Sequence, residues 1–273
     1  MYRQLLGTRS TFRMQRWILP ELAWNQETYG RRVLSTLTPR TRWLDLGCGQ
    51  RLLCNGLETV EKELSAHPFV GVDLSLDNLR SQRHTRNCVL ADGNHLPFKA
   101  ESFDLITANM VVEHLQLPDL AFREMTRVLA PGGIILLHTP NLANYLVLAN
   151  RVISKVTSRR VHAAFVATSE KRTEDEIYPT FYRVNTEGRM RKMGSSVGDV
   201  SVEFLPSPRP FFHFFAPVAL GELVLTRIMQ IRPFRRFLTT LLVTIHKPDR
   251  AWSVESEMAE TARDAVGGKG HAA

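Results

Sequence analysis

Three carboxylates, Asp45, Asp73 and Asp92, fall where short apolar runs end, in "WLDLGCG", "GVDLS" and "ADGNHLPF". An acid at such a place accepts hydrogen bonds from a ligand: Asp73 suits the two hydroxyls of a ribose, and Asp92 an adenine amino group. Between the first two acids, Gly47 and Gly49 lack the Cβ that would hold a ligand off the backbone. Gln50 and Arg51 then stand where a third glycine is expected. A dinucleotide needs that glycine for close helix packing at its pyrophosphate, so the turn argues against a nicotinamide cofactor.

Other reactive side chains are fewer. In "MVVEHL", Glu113 and His114 are metal-ligand types, but two ligands are too few for a site and no metal is expected. His114 suits the role of a base for an acceptor that must lose a proton; a capping or packing histidine is the equal alternative. His138 sits inside the apolar run "GIILLHT" and reads as a core residue. Cys48 reads as a small residue beneath the glycine turn, since no base is spaced to activate it. Asp77 and Arg80 read as ordinary helix-surface charge.

The elements that must position these groups follow from the apolar pattern. "RWLDLG", "PFVGVDL", "NCVLAD", "FDLITAN" and "GIILLHT" have strand length and composition, and the segments between them are long enough for helices. Such an alternation predicts a parallel sheet with crossover helices, whose carboxyl rim gathers Asp45, Asp73, Asp92, Asn109 and Thr139 at one crevice. Pro131-Gly132-Gly133 predicts a tight turn into the fifth strand. Beyond it, residues 142–157 read as a helix and 158–185 as an irregular insertion in which Tyr178, Tyr182 and Arg183 either line a lid over an acceptor or simply pack. A short helix is expected in "TEGRMRKMGSS", a sixth strand in "VSVEFL", a mostly apolar helix after Phe211, Phe212, Phe214 and Phe215, and a seventh strand in "FLTTLLVTIHK". The expected organisation is an N-terminal helical segment, 1–40, a main domain, 41–248, and a disordered tail, 249–273. Within the main domain a ligand-binding core covers 42–141, with acceptor-side insertions at 142–185 and 206–236.

With 273 residues, 44% of them hydrophobic, the chain can bury one large α/β core. Three cysteines, Cys48, Cys54 and Cys88, without a CxxC pair favour neither a disulfide framework nor structural zinc, and a cytoplasmic location is the default expectation. A formal charge of +8 invites phosphate-bearing partners. The arginines are spread over several segments without interleaved aromatics, which suits a solvated basic face or an anionic membrane surface and makes a nucleic-acid partner unlikely. The first twenty residues carry four arginines and no acid, a faint transit-peptide character; an amphipathic helix packed on the domain is the preferred reading.

Taken together, "WLDLGCG", "GVDLS", "ADGNHLPFKAESFDLITANMVVEHL" and "LAPGGIILLHTPN" resemble class I S-adenosylmethionine-dependent methyltransferases of the small-molecule type with a type 11-like domain, a group that includes quinone and polysaccharide-cluster enzymes. The likeness covers roughly residues 40 to 141, with the motifs in the family's order and spacing. It implies a Rossmann-like seven-stranded sheet with the last strand antiparallel, three layers α/β/α, insertions after strands 5 and 6, and S-adenosylmethionine as cofactor. It implies that Gly47 and Gly49 lie beside the methionine moiety with Asp45 supporting it, Asp73 and Leu74 at the ribose, Asp92 and Gly93 at the adenine, and Asn109 at the methyl-transfer face. Relatives usually write GCGxG, so Arg51 replaces the third glycine; a sulfonium has no pyrophosphate and the turn survives, with the arginine expected to crowd the cofactor's amino-acid end or to contact its carboxylate. Some relatives hold a metal through ExxEH, a pattern that Met110 breaks.

The activity implied is methyl transfer to a small molecule, lipid or lipid-linked saccharide. A non-catalytic subunit that keeps the fold to support a partner enzyme is the alternative. A nucleic-acid methyltransferase would be expected to carry a polar loop such as NPPY after the fourth strand; this chain has "ANMV". Around residues 211–236 the longest stretch without a formal charge, Pro210 to Gly221, is far short of the ~20 apolar residues that span a bilayer, and the segment either caps the acceptor side or rests on a membrane surface. Oligomeric state is not legible.

Overall fold

The computed structural model describes residues 13–20, 25–53, 57–148, 179–207 and 216–249. Cys54, Tyr178, Phe211, Phe212, Phe214, Phe215, most of the 142–185 insertion and the tail past 249 lie outside the described residues.

Seven strands form one sheet in the order β3-β2-β1-β4-β5-β7-β6: β1 Trp43–Leu46, β2 Phe69–Asp73, β3 Cys88–Leu90, β4 Phe103–Asn109, β5 Leu129–Pro140, β6 Asp199–Leu205 and β7 Thr240–His246. The first five pair in parallel, and β7 runs antiparallel to both β5 and β6. The central strands are apolar on both faces because both faces are covered. Alternate residues sort into two layers. Leu44, Ile106, Ile135 and Leu241 pack with helix α4 (Pro118–Val128) and helix α5 (Glu187–Gly194). Trp43, Leu105, Leu136 and Leu242 pack with helix α1 (Asn25–Thr36) and helix α2 (Glu58–Ser65). Helix α3 (Leu76–Ser81) follows β2 directly, capped by the Ser75 hydroxyl accepting from Asn78 N.

The α4 sequence shows why this layering holds. Pro118 stands in its first turn, where a missing N–H costs nothing. Ala121, Phe122, Met125 and Val128 then line one buried stripe. Phe122 is 2% exposed, and truncating such a ring to alanine costs about 3–5 kcal/mol.

Two expectations need correction. β3 ends at Leu90, so Asp92 lies in the loop beyond the strand rather than at its end. Pro131-Gly132-Gly133 is not a turn outside the sheet: β5 starts at Leu129 and runs through it, with the β4 register shifting between Phe103 and Leu105. Gly132 adopts φ 72°, a left-handed conformation, and its N–H donates to the Lys247 carbonyl at 3.1 Å, so pairing with the chain leaving β7 keeps the strand continuous.

Candidate active site

At the carboxyl end of β1 the chain reverses through Gly47 (φ 67°) and Gly49 (φ 51°). A Cβ on Gly47 would run into Val111, whereas the space beside Gly49 is open. The turn is held by its neighbours: Gly47 N and Cys48 N donate to the Val72 carbonyl (2.7 and 3.0 Å), and Gln82 Nε2 donates to the carbonyls of Cys48 and Gly49 (3.0 and 3.1 Å). Cys48 is buried against Gly71, and burial, with Asp45 and Asp73 nearby, pushes its thiol well above the ordinary range. It is a packing residue, because the thiolate is disfavoured there.

Asp73 is fixed from both sides. Its Oδ2 accepts from Gly49 N at 2.9 Å, and its Oδ1 accepts from Ser75 N at 2.8 Å and Asn78 Nδ2 at 3.4 Å. A carboxylate has about four lone-pair sites, so one remains for a ligand hydroxyl beside these three bonds.

A cavity of about 460 Å³ opens over this turn, within the usual size for a cofactor or small-ligand site. Gly47, Gly49, Asp73, Leu74, Asp92, Gly93 and His114 all line it. Asn78 and Gln116 add polar groups, and Met110, Val111, Leu115 and Phe181 give one end an apolar wall. These wall residues were not legible in the sequence; a signal existed only for Asn78, which follows the N-capping Ser75 within the first turn of α3 in "DLSLDN".

Asp45 lies beneath the cavity rather than in its wall. It is buried and accepts from Thr107 Oγ1 at 2.5 Å; burial, opposed by that hydrogen bond and reinforced by Asp73, raises it to about 7. Asn109 does not reach the cavity either, which corrects its expected place at the methyl-transfer face. Strand alternation turns it, with Leu105 and Thr107, toward the α1–α2 layer. There Nδ2 donates to Leu52 O (3.0 Å) and Gln26 Oε1 (2.7 Å), and Oδ1 lies 2.9 Å from His138 Nδ1. His138 stacks on Tyr29 with ring centroids 5.5 Å apart, and burial lowers it to about 4.

Arg51 neither crowds the cavity nor lines it. Its guanidinium turns to Glu61, which is 2% exposed, with Nε donating to Oε2 at 3.1 Å and Nη2 to the same oxygen. Leu53 N donates to Glu61 Oε1 at 3.2 Å, and His84 Nε2 lies 3.1 Å from that atom. Burial would raise Glu61, but Arg51, the Leu53 amide and His84 outweigh it and hold the carboxyl below its ordinary value. A sequence signal existed: an acid between Val60 and Leu64 on the buried stripe of α2 requires a cation.

On the acceptor side, a 3-10 turn at Val112–His114 follows Met110, itself at φ 58°. Residues 179–182 lie across this turn. Phe181 N and Tyr182 N donate to the Glu113 carbonyl, and the Pro179 carbonyl lies 3.0 Å from His114 Nδ1. A carbonyl only accepts, so Nδ1 carries the proton of the neutral ring and Nε2 the lone pair. Pro179 and Phe181 line the cavity; Tyr182 and Arg183 do not. Glu113 is buried and accepts from Thr139 Oγ1 at 2.9 Å, so it turns into the core while His114 lines the cavity. Among the described residues no cluster of three His, Cys, Asp or Glu could hold a metal ion.

Residues 44–137 match the methyltransferase domain family. The chain is 36% identical over 111 residues to a demethylmenaquinone methyltransferase of Corynebacterium urealyticum, covering 40% of this chain and 45% of that protein. It is 31% identical over 96 residues to the mitochondrial arginine-hydroxylase NDUFAF5 of Danio rerio, covering 34% and 29%. The chain thus spans less than half the length of either relative. In fold it is similar to a putative methyltransferase of Haloferax volcanii solved with the Trm112 methyltransferase activator: TM-score 0.53, 15% identity, 82% of this chain and 90% of that one. The glycine turn and the Asp73 site fall within the stretch that matches the methyltransferase domain family, and the 3-2-1-4-5-7-6 sheet has the Rossmann-like fold of such domains. The cofactor of that family is S-adenosylmethionine, and the residues present fit it: a carboxylate with spare acceptor capacity, a turn whose Gly49 leaves open space, and a cavity of suitable volume.

Proposed function

We propose that this protein transfers a methyl group from S-adenosylmethionine to a small-molecule or lipid-like acceptor. The observation that carries the reading is the Asp73 carboxylate, clamped by Gly49 and Ser75 amides at the mouth of the cavity. When bound, the cofactor supplies an electrophilic methyl group on a sulfonium. Asp73 would accept from a ribose hydroxyl, Gly47 and Gly49 would lie at the methionine end, and the Asp92–Gly93 loop at the adenine. Asp45 stiffens β1 under the turn.

Methyl transfer is an in-line displacement, so holding the acceptor in line within a dry site supplies most of the acceleration. Met110, Val111, Leu115 and Phe181 provide the apolar wall that excludes water there. His114, with Nδ1 toward the Pro179 carbonyl, would receive a proton at Nε2 from a hydroxyl or phenol acceptor. That wall favours a ring or chain acceptor, as the name of the menaquinone-related relative suggests, over a guanidinium.

Calorimetric titration with S-adenosylmethionine tests the reading. Micromolar binding that weakens at least tenfold in Asp73→Ala is expected; an unchanged affinity in that variant would place the site elsewhere. Absence of binding by the native chain would favour the supporting subunit, although Arg51, the residue that first suggested it, is turned away from the cavity.

A further inference from the structure

Helix α6 (Ala216–Met229) is inverted relative to an ordinary surface helix. Two of its polar side chains are buried: Glu222 accepts from Tyr145 Oη at 2.6 Å, and Thr226 Oγ1 donates to the Glu222 carbonyl, beside buried Ala219 and Leu223. Its outer face presents Val218, Leu220, Val224, Leu225 and Ile228, each 40–45% exposed. Ile231 and Phe234 continue that face into the 3-10 turn Arg232–Phe237. A largely apolar helix face is normally buried, so among the described residues this outer face lacks the cover its sequence implies.

Charge identifies the cover. Arg227, Arg232, Arg235 and Arg236 flank the apolar face, all are exposed, and among the described residues none makes an ion pair. Glu222 is the lone acid between residues 206 and 248, and it points inward. A symmetric contact with a second copy would set this arginine rim against its own image. An anionic lipid surface satisfies both halves, with apolar side chains among acyl chains and guanidinium groups at phosphates. At fourteen residues, or about 21 Å, α6 lies in such an interface without crossing it.

We infer that this face docks on an anionic phospholipid bilayer. β6 ends at Leu205 opposite Thr240, where β7 begins, and Thr240 also pairs with Pro140 at the end of β5. The 206–239 connection therefore leaves from and returns to the carboxyl rim that carries the cavity, and docking turns that rim toward the membrane. On the methyltransferase reading, this gives a bilayer-resident acceptor a short path.

Co-sedimentation of the full chain with phosphatidylcholine vesicles, alone or with phosphatidylglycerol, tests it without cofactor. Binding to the phosphatidylglycerol vesicles is expected, weakened in high salt. A loss of about tenfold or more is expected in Arg232→Glu/Arg235→Glu, since each basic residue near an anionic surface contributes, and again in Val224→Glu/Ile228→Glu. Thermal unfolding of each variant should match the native chain, because the substituted residues face outward. No binding by the native chain overturns the inference. So does a native dimer in sedimentation velocity that Val224→Glu/Ile228→Glu renders monomeric, which would make the face a contact between copies. Titration of the same samples with S-adenosylmethionine reports separately on the enzymatic reading: vesicle binding without cofactor binding sinks that one alone.

Discussion

The two ends of the cavity are built differently. At the cofactor end, Asp73 is held by partners 2, 5 and 24 positions away, all within one β-turn-α unit and its neighbour. At the other end, Glu113 meets Thr139, Thr139 meets Asn185 and His114 meets Pro179 across separations of 26, 46 and 65 residues. Short-range wiring leaves a motif in the chain, whereas long-range wiring leaves isolated polar residues whose purpose appears only on folding. On the proposed function, the first end serves one invariant ligand, and the second can change its acceptor without disturbing the first.

The sharpest way to break this contrast is to distort the turn. Gly47→Val places a β-branched residue at φ 67° and drives its Cβ into Val111. Backbone strain and overpacking together should destabilise by about 4 kcal/mol, and cofactor binding should vanish in calorimetry even below the unfolding temperature. Next in size is Arg51→Gly, which restores the familiar glycine yet strands Glu61 as a buried charge. A loss of about 3 kcal/mol in urea unfolding is expected, with cofactor affinity unchanged; a change in affinity at constant stability would return the arginine to the site. Asn185→Leu removes the donor to Thr139 Oγ1 and the Pro140 carbonyl at the acceptor end. It should cost about 1–3 kcal/mol, leave cofactor affinity intact, and lower turnover of whatever acceptor is found.

A pH-dependent effect separates Asp45 from His138. Asp45 is raised to about 7 from an ordinary 3.8, so the native state holds its proton more tightly and stability falls as pH rises between those values. His138 is lowered to about 4 from 6.5, so its contribution rises with pH across that window. The two slopes oppose each other. Asp45→Asn should leave the His138 slope exposed, so that unfolding free energy relative to the native chain climbs by up to about 1.4 kcal/mol per pH unit between roughly pH 4 and 6.5. A parallel pair of pH curves would show that Asp45 ionises normally.

Much of the β1–β2 end of the cavity was readable beforehand. The alternation of strands and crossover segments follows the chain's own pattern, and the antiparallel last strand follows what the family resemblance implied; Gly47, Gly49, Asp73, Leu74, Asp92, Gly93 and His114, singled out on one ground or the other, line one cavity. Asn109 misled because a strand-end position says nothing about which face a side chain takes; one residue of alternation sends it to α1 instead of the cavity. Arg51 misled because its partner, Glu61, lies on a different element. The apolar lid residues Pro179 and Phe181 carry no spacing signal at all, since they reach the cavity through backbone bonds to Glu113 and its neighbour His114.

What the amino-acid order alone determined is the sheet and the turn: short continuous apolar runs of strand length, glycines at positive φ and an acid at the end of β2 act over a few residues, and local sterics and hydrogen bonding suffice to dictate them. What the tertiary structure decided is which faces meet. The pairing of Arg51 with Glu61, the inward turn of Glu113 and Glu222, and the outward apolar face of α6 depend on burial, and burial is a property of the packed whole that no short window of sequence contains.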